Sequence, residues 1–374
     1  MSAGYMAEPP EARPTLANWL EYPVSRWSFR HVRELAPSAR VAARRASPLP
    51  SASADPSLLT PQARSILELT YTDALVVLHD GRLVMEWYAP GVKSDDRHIL
   101  FSVTKSVTAL VVGALAGHGK LDIDERVAMY VPESQQGGFG TATLRHLLDM
   151  TAAVRFVEDY YGPDMRRYRE AAGLPPTAGD KGLHSYISRL PPDGPHGQQF
   201  RYTSPSTDML GWVCERASGA PFAELIAEYV WAPMGAEADA DLLVDRFGAP
   251  RAGGGLCGTA RDMARIGQLL IDGGAGAVPD WYVADLMSAG DAALWAAGEI
   301  AHLLPGGAYR SCWYQPREDP GVVMAIGIHG QWIYVDVPRR VVVVKQSSGA
   351  KATDPPVDRE VVALLRDIAR IAAV

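Results

Sequence analysis

Strand signals stand at both ends of this 374-residue chain and helix signals fill its middle, and that distribution constrains the fold more than any single motif. In "LELTYTDALVVLHDGRLVMEWYAPG" two β-rich runs meet at His79-Asp80-Gly81, and Asp-Gly suits a tight hairpin turn because both central positions need positive φ. Near the other end "GVVMAIGIHG", "QWIYVDVP" and "RRVVVVKQSS" follow one another at turn-length spacing. The chain then closes on "DREVVALLRDIARIAAV", whose apolar residues recur at helical spacing. The expectation is an α+β fold: an antiparallel sheet of about five strands built from both termini, with a terminal helix and a mainly helical insert. The boundaries expected are an arm packed on the body over 1–55, a discontinuous sheet domain over 56–100 and 301–374, and a helical domain over 101–300. Within the last, "TARDMARIGQLLIDGG" has Thr259 as cap, Asp262 in capping-box position and Gly273 as terminator.

The chemistry begins at "FSVTKSV". Ser102 and Lys105 are three residues apart where an apolar helix starts, so hydroxyl and amine share one face. The helix N-terminus favours an oxygen that becomes negative and presses a nearby lysine towards its neutral form. Alone, the pair has a plainer reading as a cap and a solvated lysine. Acyl transfer also needs a proton relay and an oxyanion hole. "GQQFRYTSPSTDMLGW" places Tyr202 in a turn before a helix capped by Ser204 or Ser206, and a tyrosine beside a cationic lysine is expected to have a lowered pKa. In "GIHGQWIYV" a glycine-flanked strand segment brings backbone close to a ligand, so the N–H of Ile328, with that of Ser102, could cradle an oxyanion. His329 lies on the same edge.

Composition excludes several alternatives. The net charge is −7 and Lys and Arg do not cluster with aromatics, so no nucleic-acid partner is expected. The longest apolar run, "VTALVVGALAG", is too short to span a bilayer, so no membrane partner is expected either. Three cysteines (Cys214, Cys257, Cys312) without C-x-x-C spacing suggest neither a disulfide framework nor a zinc ribbon, and with no signal-peptide pattern they point to the cytoplasm. The histidines lack metal-site spacing, "GALAGHGKLD" lacks the Ser or Thr of a phosphate loop, and no G-x-S-x-G is present. No metal and no cofactor are expected.

Taken in order, "NWLEYPVSRWSFRHV", "YTDALVVLHDGRLVMEWY", "DDRHILFSVTKSV", "LLDMTAAVRFVEDYYGP", "FRYTSPSTDMLGWVCERASG" and "GGLCGTARDMARIGQLLIDGG" resemble the serine β-lactamase and penicillin-binding family over nearly the whole chain. The likeness is to its class C and esterase branch, including the hydrolases of nylon-oligomer amides. The resemblance implies a β-lactamase/DD-peptidase-like fold, Ser102 as acylated nucleophile, Lys105 as base and Tyr202 as proton relay. It also implies substrate contacts at Tyr160, Ser204, Gly253, His329 and Gly330. Ser204 stands where many relatives have Asn, and "HGQ" from His329 stands where penicillin-recognising members carry Lys-Thr-Gly. Gly253 replaces a substrate-contacting Asn of the amide specialists, and "DMRRYREAAGLPPTAGD" departs from their loop. The function expected is a serine hydrolase that forms an acyl-enzyme and cleaves carboxylic esters and short linear amides. The alternatives are a D-amino-acid peptidase or amidase, a weak β-lactamase, or a non-catalytic binding relative. The expected partner is a small ester or amide substrate, and a homodimer is compatible with the chain.

Overall fold

The computed structural model describes residues 13–51 and 58–373. Of the expected arm, residues 1–12 and 52–55 lie outside the described residues. In chain order the strands are β1 (Ser38–Val41), β2 (Thr72–His79), β3 (Arg82–Tyr88), β4 (His98–Ile99), β5 (Ala240–Leu243), β6 (Leu256–Gly258), β7 (Ala308–Arg310), β8 (Trp313–Gln315), β9 (Val322–Gly327), β10 (Gln331–Asp336) and β11 (Val341–Ser347). The longer helices are α1 (Pro61–Leu69), α2 (Val103–Gly117), α3 (Pro163–Ala171), α4 (Ser204–Ser218), α5 (Ala260–Ile271), α6 (Asp280–Met287) and α7 (Pro355–Ala372).

The main sheet is antiparallel, in the order β3-β2-β11-β10-β9-β8-β7, so strands from the two ends of the chain meet where β2 pairs with β11. The Asp-Gly hairpin forms as expected, with Asp80 at φ 48° and Gly81 at φ 70°. Five of the seven strands were anticipated. The other two, β7 and β8, are three residues each, too short for alternation to be visible. A second sheet, β1-β5-β6-β4, is built from strands of two to four residues and escaped notice for the same reason.

Both faces of the main sheet are covered, which is why β2 and β11 read as continuous apolar runs rather than alternating ones. On one face lies α5, which comes from the middle of the chain yet packs on β2, β10 and β11. A Cβ at Gly267 would fall 2.6 Å from a Val342 methyl, so glycine permits the close approach. On the other face lies α7, burying Val361, Leu364, Leu365 and Ile368 along one stripe. Each such side chain contributes roughly 1.5–3 kcal/mol by burial.

Helix α2 is buried on every side, packed against α4 and reaching β9 and β10. That is the signature of an interior helix. Among the described residues no helix is long and apolar enough to cross a membrane. The arm is structural: Trp19 and Phe29 enter the core, β1 pairs with β5, and the Ile99 N–H donates to Phe29 O at 2.8 Å.

Two cap assignments are corrected. Asp262 does not complete a capping box; its carboxylate accepts from the N–H groups of Glu237 (2.7 Å) and Ala238 (3.3 Å) and from the Thr259 hydroxyl (2.8 Å). Thr203, rather than Ser204 or Ser206, occupies the cap position of α4, and its hydroxyl meets that of Ser206 at 2.7 Å.

Candidate active site

The position of Ser102 is set by a strained turn. Strand β4 pairs with β6, Leu100 N–H donates to Leu256 O at 2.8 Å, and Phe101 then adopts φ 45°. A non-glycine residue in the left-handed region needs support from its surroundings. Phe101 has it, with ring centroids of Phe29 at 5.0 Å, His329 at 5.4 Å and Trp19 at 6.0 Å. The turn delivers Ser102 to the N-terminus of α2, half-buried, and its hydroxyl makes no cap bond to the helix.

One helical turn on, Lys105 is 1% exposed. Its Nζ lies 2.9 Å from Ser102 Oγ, 2.6 Å from Gly253 O and 5.1 Å from the centroid of the Tyr202 ring. Burial pushes the amine down to about 8; the carboxylates of Glu158 and Asp208 oppose this and Arg251 adds to it. The expected cause was the helix end; desolvation is the larger one.

Tyr202 is half-buried, beside Tyr309 and Tyr314 with centroids at 6.4 Å each. Its phenol is pushed well above 10, by burial first and then by Tyr314, Tyr309, Tyr160 and Glu158. The expected lowering is therefore corrected. A lysine whose own charge is depressed gives little stabilisation to a phenolate, whereas the aromatic surroundings exclude water.

The segment expected to carry His329 on a strand is a turn. Ile328, His329 and Gly330 link β9 to β10, with His329 at φ 60° and Gly330 at φ 89°. A Cβ at Gly327 would fall 2.5 Å from Leu100 O, so this glycine lets the end of β9 touch the turn that carries Ser102. Among the described residues neither the Ser102 nor the Ile328 N–H has a hydrogen-bond partner. His329 is anchored through Nδ1 to Gly349 O at 2.7 Å and packs on Phe29 and Phe101; burial pushes its imidazole down to about 4. It is a neutral wall residue. Gly330 faces β11, where its Cβ would lie 3.5 Å from Lys345 Nζ.

Three residues beyond the expected set build the surroundings. The Ser204 N–H (2.8 Å) and hydroxyl (2.5 Å) both donate to Glu158, so Ser204 holds a carboxylate near Lys105. Burial raises the pKa of Glu158 and Lys105 opposes the rise. Asp208, fully buried, accepts from Arg251 at 2.7 Å, from the Gly253 N–H at 2.5 Å and from the Tyr168 hydroxyl. That fixes the carbonyl to which Lys105 donates. The signal that could have found Asp208 is a carboxylate in the apolar run "STDMLGWV"; nothing local marks Glu158 or Arg251.

Ser102 stands where two cavities meet. The larger, about 700 Å³, is bounded by the arm, α3, Gly253 and Ile328. The smaller, about 310 Å³, is bounded by Tyr202, Tyr314, Ile326 and Trp332. Tyr160 and the 82%-exposed Tyr161 line both. Among the described residues no three His, Cys, Asp or Glu side chains form a metal-holding group.

A family model described as Beta-lactamase matches residues 70–367. A 6-aminohexanoate-dimer hydrolase of Paenarthrobacter ureafaciens is 35% identical over 350 residues, 90% of this chain and 88% of that protein. Esterase EstB of Burkholderia gladioli is 30% identical over 152 residues, 38% of each chain. A solved structure from Bacillus anthracis assigned to the 6-aminohexanoate-dimer hydrolases superposes with a TM-score of 0.85 at 27% identity, covering 98% of both chains.

Proposed function

The chain belongs to the beta-lactamase family of serine hydrolases, and from that premise we propose that it cleaves carboxylic esters and short linear amides through an acyl-enzyme on Ser102. The observation that carries the reading is the buried amine of Lys105, held 2.9 Å from Ser102 Oγ with its pKa pushed down to about 8.

Neutral Lys105 takes the hydroxyl proton as Ser102 Oγ attacks the carbonyl carbon. The oxyanion forms against the N–H groups of Ser102 and Ile328, which have no other partner among the described residues. On collapse the bond to the leaving group breaks, Tyr202 gives its proton to the leaving oxygen or nitrogen, and Lys105 returns a proton to Tyr202. A phenol whose pKa is raised suits this relay, because it stays protonated until the leaving group needs it. In deacylation the relay runs backwards: water passes its proton through Tyr202 to Lys105 as its oxygen attacks the acyl carbon, the bond to Ser102 Oγ breaks, and Lys105 returns the proton to Oγ.

Esters and amides are favoured over β-lactams because the turn from Ile328 to Gly330 carries no cation to grip a carboxylate there. Lys345, behind Gly330, is engaged with Ser347 Oγ at 2.5 Å. The test is turnover of p-nitrophenyl acetate together with fluorophosphonate labelling. Ser102→Ala is expected to lower turnover by several powers of ten and abolish labelling. Full activity in that variant would overturn the assignment.

A further inference from the structure

We propose that the larger cavity selects substrates whose acyl group ends in a carboxylate, received by Arg169. The inference rests on the acyl-enzyme reading above and names the substrate class of that site.

Orientation comes first. Tyr202 lines the smaller cavity and not the larger. The proton donor must stand at the departing atom, so the leaving group occupies the smaller space and the acyl chain extends into the larger. The walls of the larger space include Trp19, Leu20, Met165, Leu174 and Pro175, an apolar lining for an aliphatic or aromatic spacer.

The charges in that cavity are unequal in their engagement. Arg251 is neutralised by Asp208 at 2.7 Å, and Glu158 is held by both donors of Ser204. Arg169, in the last turn of α3, has neither a hydrogen bond to its guanidinium nor an ion pair within reach among the described residues. It is half-buried; burial and repulsion from Arg251 lower its pKa, against the attraction of Tyr161 and Glu170. Glu170, its chain neighbour, and the exposed Glu21 line the same cavity without pairing with it. Arg166, exposed on the same wall, adds positive charge. A guanidinium stripped of part of its water and given no acceptor is an incomplete site, and a carboxylate completes it by a bidentate pair.

The experiment compares mono-p-nitrophenyl adipate with the same ester capped as its methyl ester. The wild-type protein is expected to show kcat/KM about tenfold or more higher for the free carboxylate, the range expected for a charge-assisted hydrogen bond. In Arg169→Gln the ratio between the two substrates should fall to near one, and in Arg169→Lys part of it should remain. Independently of turnover, adipate should bind Ser102→Ala protein more tightly than hexanoate by calorimetry, with a gap that narrows as salt is added. A wild-type ratio at or below one, or a preference untouched in Arg169→Gln, would overturn the proposal. Equal turnover by wild type and Ser102→Ala would instead defeat the acyl-enzyme reading, and the calorimetric comparison separates the two failures.

Discussion

Among the described residues two lysine–serine pairs have a buried amine, and they differ in what surrounds them. Lys105 and Ser102 stand at a helix N-terminus between two cavities; Lys345 and Ser347 stand on one face of β11, both 0% exposed. Burial depresses both amines, to about 8 and about 7. Depressed basicity is therefore common to both and cannot be what makes a nucleophile. The surroundings differ. Beside Ser102 two N–H groups lack partners, whereas the Ser347 N–H is taken by Gln331 Oε1 at 3.3 Å. Both pairs border a cavity, but Ser102 lies between two that hold Tyr202 and Tyr160, whereas Lys345 borders one of about 220 Å³ against the N-terminal turn of α7, with Asp358 nearby.

The comparison breaks most sharply on the serines. Ser102→Ala should cost several powers of ten in p-nitrophenyl acetate turnover, and Ser347→Ala should stay within about twofold of wild type. Comparable losses in both would dissolve the distinction. Next come the lysines: Lys105→Met should lower kcat by roughly 10²–10⁴, the range of a lost general base, while Lys345→Met leaves it near wild type. Tyr202→Phe, with the ring kept and the proton removed, should lose about 10²-fold, more for substrates with poor leaving groups. A uniform loss across leaving groups would argue against a relay.

Smaller effects sharpen the electrostatics. With Lys105 as the proposed base, kcat/KM should rise as pH passes through about 8. Glu158→Gln removes a charge that props up the lysine pKa, so the midpoint should move to lower pH; a shift upward would contradict the assigned coupling. The faintest effect is on stability. A lysine with a depressed folded pKa binds fewer protons than in the unfolded chain, so Lys345 makes the protein gain stability as pH rises from about 7 towards 10.5. Denaturant unfolding of Lys345→Met at pH 7 and pH 9.5 should show a shallower gain than wild type.

Much of this was legible in one dimension. The Asp80-Gly81 turn, the apolar strand runs, the periodicity of α7 and the i to i+3 spacing of Ser102 and Lys105 all depend on neighbours within a few residues. The site's second layer was not legible. Glu158 meets Ser204 across 46 positions, Arg251 meets Asp208 across 43, and Lys105 meets the Gly253 carbonyl across 148. Strands of two to four residues, such as β4 and β6, exist only because a partner strand completes them.

What the sequence by itself determined is the local chemistry: a hydroxyl and an amine on one helix face, a tyrosine before the next helix, and a sheet drawn from both ends. What only the tertiary structure decided is which of the two lysine–serine pairs faces unpaired amide hydrogens, and what sets each pKa. The physical reason is range. Backbone geometry is set by adjacent residues, but desolvation and Coulomb interaction depend on whatever distant chain segments bring up against a group, and those are known only once the core has closed.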